Sequence, residues 1–142
     1  MKDIVDLTRE ECVSLLSGGV FGRVGLSTPE GPEILPVNYA MNGNAIVFRT
    51  VPYGRIAENA ADREICFEVD QIDYDHHTGW SVLAVGKGKL VEDPDEVQLI
   101  REVWDPRPWA TGQRILYIKL EWRSISGRRI GDEVANPVAR TL

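Results

Sequence analysis

The chain has 142 residues, 43% of them apolar and 27% charged, enough for one domain burying roughly 68–70% of its unfolded surface and too few for a second. Its 22 acidic against 16 basic side chains leave a net charge of -6, which opposes the attraction that draws proteins to phosphate backbones and argues against a nucleic-acid partner. No apolar run approaches the roughly 20 residues of a membrane helix, and the acidic start "MKDIVDLTREEC" does not read as a signal peptide, so a cytoplasmic protein without membrane contact is expected.

The first predicted element is a helix. Thr8 with Glu11 three residues on forms a capping box, Cys12, Leu15 and Leu16 make an apolar stripe, and Gly18 and Gly19 stop it. The segments "VFGRVGLS", "EILPVNYAM" and "AIVFRT", separated by the turns "TPEG" and Asn42-Gly43, read as antiparallel hairpins. A helix "RIAENAA" interrupts them, and "EICFEVDQI", the polar loop "DYDHHT" and the long strand "GWSVLAVGKGKLVE" follow. A second capped helix starts at "DPDEVQLIREVW", with Asp93 as cap, Pro94 in the first helical position and Glu96 three residues after the cap. After the loop "DPRPWATGQ", the stretch "RILYIKLEWRSISGR" reads as a last pair of strands, and residues 131–142 as a surface arm. Many strands with short turns and a few helices predict a mostly β single domain spanning 1–142, an antiparallel barrel flanked by short helices, since closure removes exposed strand edges.

Several residues invite chemistry. In "VFRTVPYGRIAENA", Arg49, Thr50, Gly54 and Arg55 surround a strand-to-helix loop, where a glycine, a helix start and forked guanidinium donors suit a phosphate. On those residues alone, an exposed strand arginine and a solvated helix arginine are the preferred reading, because one glycine and two arginines are a common combination. The adjacent His76 and His77 have no third ligand at metal spacing and read as solvated loop residues, so no metal site is expected. Cys12 and Cys66 are far apart and read as reduced thiols, and Lys87 and Lys89 as exposed residues on one strand.

Taken together, "LPVNYAMNGNAIVFRTVPYGRIAENA", "ICFEVDQID" and "TGWSVLAVGKGKLV" resemble the pyridoxamine-phosphate-oxidase-like flavoproteins, the FMN-binding split β-barrel family. The likeness runs from about Thr8 to Arg129 and is strongest to the small branch that includes nitroimidazole-resistance proteins. It implies a homodimer with FMN at the subunit interface, and F420 or haem in some relatives. Pro36, Val37 and Asn38 would lie along the isoalloxazine; Arg49, Thr50, Gly54 and Arg55 would hold the phosphate; Trp80 and Ser81 would close the phosphate and ribityl side; Trp109 would reach the ring across the interface. Core or interface packing is the plain alternative for both tryptophans.

The implied activity is hydride or electron transfer to or from a small organic substrate, with a non-catalytic flavin store or sensor as the alternative. Two departures limit what carries over. Nitroimidazole-reducing relatives can have histidine where this chain has Arg49, and the ending "SISGRRIG" does not match the substrate-phosphate ligands of true pyridoxamine-phosphate oxidases.

Overall fold

The computed structural model describes residues 3–104, 106, 108 and 114–131. Helix α1, Arg9–Ser17, starts on the expected reciprocal cap: the Glu11 amide donates to Thr8 Oγ1 at 3.2 Å, and the Thr8 amide to Glu11 Oε1 at 3.0 Å. Gly18 ends it, and Cys12, Leu15 and Leu16 are buried. Strand β1, Ile4–Asp6, precedes the helix and was not evident in the polar N-terminal sequence.

Strands β2 (Phe21–Thr28), β3 (Gly31–Asn42) and β4 (Ala45–Thr50) form the expected hairpins. Between β3 and β4, Gly43 takes the positive φ of 63° that a tight two-residue connection needs. The short α2, Arg55–Ala60, leads to β5 (Glu64–Asp73) and β6 (Thr78–Leu90), and α3, Pro94–Trp104, follows. Asp93 caps α3 through its Oδ1, which accepts from the Asp95 amide at 3.0 Å. Glu96 does not close a capping box; its carboxylate takes the Lys119 ammonium at 2.6 Å instead and fastens α3 to the sheet.

The expected last pair of strands is one strand, β7, Leu116–Ile130. The absence of a turn explains this: Gly127 lies within continuous ladder pairing to β6, facing Val82. The sheet order is β1-β7-β4-β3-β2-β5-β6, and a further pairing of β6 with β7 closes it. Along one edge β7 pairs first with β4 and then with β1; along the other it runs against β6. Arg123 is the extra residue of a bulge opposite Val85 and Gly86, which lets so long a strand bend around the barrel.

Alternation sorts the side chains. Val24, Tyr39, Ile46, Phe48, Phe67, Val82, Ala84 and Leu120 belong to one continuous buried core, which Leu16 of α1 joins. The Tyr39 hydroxyl donates to the Leu16 carbonyl at 2.5 Å, satisfying a group at the end of α1, and burial pushes its pKa well up. A second small cluster, Val47, Val91, Ile100 and Tyr117, involves α3 and strand faces that look away from the main core. The interior is therefore filled by the chain's own side chains, and a ligand of any size must sit outside it.

Candidate functional site

The outer sheet face carries several of the expected residues in cross-strand rows. Pro36 of β3, Arg23 of β2, Glu68 of β5 and Leu83 of β6 are successive neighbours in one row. The next row on β5, β6 and β7 is Asp70, Ser81 and Arg128. Pro36 is exposed and Asn38 half-buried, with its amide donating to the Val20 carbonyl at 3.4 Å, whereas Val37 between them is buried. Strand alternation thus offers Pro36 and Asn38 outward and leaves Val37 only its backbone for any ligand.

Two carboxylates share one cation on this face. Arg23 Nη1 lies 3.0 Å from Glu68 Oε1 and 3.3 Å from Asp70 Oδ2. Burial, reinforced by the hydrogen bond and charge of Asp70, pushes the Glu68 pKa up to about 7 against the pull of Arg23. A raised acid pKa means that the folded state keeps a proton the unfolded chain has released. Stability should therefore fall as pH rises from about 4.5 to about 7, and Glu68→Gln should flatten that slope. Urea unfolding of both proteins at pH 5 and pH 8 checks this; parallel pH dependence would exclude the mechanism.

A cleft of about 230 Å³ opens where β1, β5, β6 and β7 meet. Ile4, Ile72, Gly79 and Ile130 give it an apolar lining, Trp80 also borders it, and Asp70, Ser81, Arg128 and Arg129 are its polar residues, Arg129 donating to the Gly131 carbonyl at 3.2 Å. Trp80 is only 3% exposed and belongs to the main core, so its indole lies on the barrel side of β6, beneath the sheet surface that carries Ser81. Its indole N–H is buried without a hydrogen-bond partner among the described residues.

The expected phosphate residues do not converge on one face. Arg49 lies on the outer side of β4, its Nε donating to the Arg114 carbonyl at 3.0 Å and its guanidinium 5.1 Å from the Tyr117 ring centre. Thr50, the next residue, is turned the other way and is 2% exposed. Gly54 precedes α2, whose six residues make too short a helix for a substantial dipole. Arg55 is half-exposed but engaged, with Nη1 2.6 Å from Glu33 and 3.6 Å from Glu30. The groove beside it, about 380 Å³, is walled by Pro29, Glu30, Glu58, Asn59 and Arg63 as well as Arg55 itself. Alternation along β4 separates Arg49 from Thr50, whereas the carboxylates that hold Arg55 are brought to it by the β2–β3 hairpin.

His76 and His77 are exposed on the β5–β6 turn, where His76 Nδ1 sits 2.8 Å from Asp73 Oδ2. Lys87 and Lys89 are exposed, as expected. Trp109 and residues 132–142 of the expected arm lie outside the described residues.

The family model of pyridoxamine 5'-phosphate oxidase matches residues 8–129. The chain belongs to this family. An uncharacterized protein of Mycobacterium tuberculosis is 27% identical over 141 residues, covering 96% of this chain and 91% of its relative. Among solved structures, an FAD binding protein from Mycobacterium smegmatis superposes with a TM-score of 0.75 at 24% identity, over 89% of this chain and 98% of that one. An FAD and haem binding protein from the same species superposes with a TM-score of 0.71 at 14% identity, over 95% and 79% of the respective chains. These two likenesses establish the split-barrel fold of the pyridoxamine 5'-phosphate oxidase family for this chain.

Within that family frame, the cleft over Trp80 has the chemistry a heteroaromatic ring with polar edges needs: an apolar floor, a hydroxyl, a guanidinium and a carboxylate. Arg128 and Asp70 line this cleft and are not among the residues expected from the sequence. The signal was available only as register, because Asp70, Ser81 and Arg128 become neighbours through two separate strand pairings.

Proposed function

We propose that the chain is a flavin-binding protein of the pyridoxamine 5'-phosphate oxidase family, with FMN as its cofactor and hydride or electron transfer with a small organic substrate as its activity. The observation that carries the reading is the cleft beside Trp80 and Ser81, an apolar recess with convergent polar groups on the outside of a filled barrel. The solved relatives named for FAD binding support a flavin in general.

Bound flavin supplies the redox chemistry, and the protein supplies orientation and electrostatics. Ser81 and the outward side of Pro36–Asn38 orient the ring, while Arg55 and Arg49 provide positive charge for the phosphate. These two groups of residues are spread over different parts of one chain. A homodimer reconciles them, one copy offering the β4–α2 arginines and the other its cleft, with the flavin enclosed between.

Titration of flavin-free protein with riboflavin, FMN, FAD, F420 and haem, followed by absorbance, tests the reading. FMN is expected to bind with the flavin spectrum perturbed and the mass by light scattering equal to two chains. No uptake of any flavin would refute it, and haem uptake alone would move the protein to the haem-binding side of the family. Arg55 must leave Glu33 to meet a phosphate, so Arg55→Ala should weaken FMN by about 1.5–3 kcal/mol while leaving riboflavin unchanged. Equal effects on FMN and riboflavin would assign Arg55 to its carboxylate partners alone.

A further inference from the structure

Several of the positive charges on the described strands and helices are engaged. Arg55 lies against Glu33 and Glu30, Arg23 against Glu68 and Asp70, Arg123 against Glu64, and Lys119 against Glu96 and Glu121. Arg49 donates to a backbone carbonyl and rests on Tyr117. Arg128 differs: it is exposed, lines the cleft, and has no carboxylate partner among the described residues. On the outer face it follows Ser81, and Ser81 follows Asp70, so a guanidinium, a hydroxyl and a carboxylate stand in a line across three strands. Adjacent strands are about 4.8 Å apart, which puts the backbone of Arg128 about 10 Å from that of Asp70 and lets long side chains converge between them.

An isoalloxazine presents a matching edge. Its N1 and C2 carbonyl accept hydrogen bonds, its N3–H donates, and reduction places negative charge at the N1 and C2 side. The apolar surface of Ile72, Gly79 and Ile130 suits the ring, and Arg128 supplies the positive charge that the reduced form needs.

We propose that Arg128, with Ser81 beside it, holds the N1 and C2 carbonyl edge of the flavin and raises its reduction potential. This rests on the flavin reading above and adds to it a residue outside the strand-to-helix arginine cluster. Asp70, at the other end of the row and paired with Arg23 through one oxygen, offers an acceptor to N3–H. The arrangement divides the work: Arg55 acts on the phosphate, and Arg128 acts on the ring whether or not a phosphate is present.

The test compares wild type, Arg128→Ala, Arg128→Lys and Arg55→Ala. Each is titrated with riboflavin and with FMN, and the reduction potential of the bound flavin is measured against a reference dye. Arg128→Ala should weaken riboflavin and FMN alike, by roughly tenfold or more, the least expected on losing a charged hydrogen bond. Reduced flavin should lose more affinity than oxidised, and each tenfold excess lowers the two-electron potential by about 30 mV. Arg128→Lys should restore part of the potential, because it keeps the charge.

Arg128 is an exposed side chain, so the apo melting temperature of Arg128→Ala should match wild type. If wild type binds riboflavin and Arg128→Ala binds it within twofold at an unchanged potential, the assignment of Arg128 is overturned while the flavin reading stands. If wild type takes up no flavin, both fall.

Discussion

Replacing Phe67 with alanine should destabilise the cofactor-free protein by about 3–5 kcal/mol, the range for deleting a fully buried large aromatic. Phe67 has no exposed surface. Its ring meets Tyr39 edge-on with centres 4.9 Å apart and stacks with Phe48 at 6.2 Å. The barrel has little means of collapsing into the space left behind. On one side stands Gly22, whose missing side chain already makes room for the ring: a Cβ there would come within 2.5 Å of Phe67. The strands on either side of β5 are themselves paired to β3 and β7, so moving them breaks ladders elsewhere. Most of the cost should therefore appear as an unrelaxed cavity. Urea unfolding would show the midpoint falling with the slope unchanged. A loss below about 1 kcal/mol would mean a loosely packed interior, and would remove the reason for placing the ligand outside the barrel.

That filled interior was legible in the sequence, and for a simple reason. The residues of β5 alternate, Ile65, Phe67 and Val69 being buried while Cys66, Glu68 and Asp70 are only partly so, and a period of two can be read from a string. The capping box of α1 was legible for the same reason, because both of its partners lie within three residues of each other. What could not be read is whatever depends on distant pairing. Strand β1 has three residues, all exposed, and exists because β7 offers an edge beyond the end of β4. The stretch 114–128 reads as a pair of strands, yet from Leu116 onward it is one strand, held extended by a partner of 13 residues.

The site divides along the same line. Arg49 and Thr50 look like one cluster in sequence, but adjacent strand residues face opposite ways, so Thr50 is buried and Arg49 is not. Arg55 looked like a free cation because Glu33 and Glu30, which hold it, lie more than twenty positions upstream on the β2–β3 hairpin. Ser81 lies on the outer face of β6, whereas its neighbour Trp80 is turned into the core. The three-residue row that makes the cleft polar spans positions 70, 81 and 128, and only the ladders of β6 bring it together.

Trp80 carries the other large effect, and two substitutions separate its roles. Trp80→Ala should cost the apo protein about 3–5 kcal/mol, because the indole is almost wholly enclosed and packs with the main core. The same change removes the packing beneath the strand that carries Ser81, so flavin binding should weaken with it. Trp80→Phe tests whether the ring or the N–H matters. Among the described residues the buried indole nitrogen has no acceptor, and the buried Oε1 of Gln71, the residue directly opposite on β5, has no donor. An unsatisfied buried donor costs roughly 1–3 kcal/mol, so deleting it offsets part of the packing lost with the smaller ring. Trp80→Phe should therefore be far less damaging than Trp80→Ala, and flavin affinity should survive, since the phenyl ring still supports the strand beneath Ser81. Calorimetry of the apo proteins and fluorescence titration with FMN measure the two quantities independently. If Trp80→Phe keeps its stability but loses flavin, the indole N–H reaches the cofactor and Trp80 is a direct ligand; if both survive, its part in the site is to hold up the surface on which Ser81 and Arg128 stand.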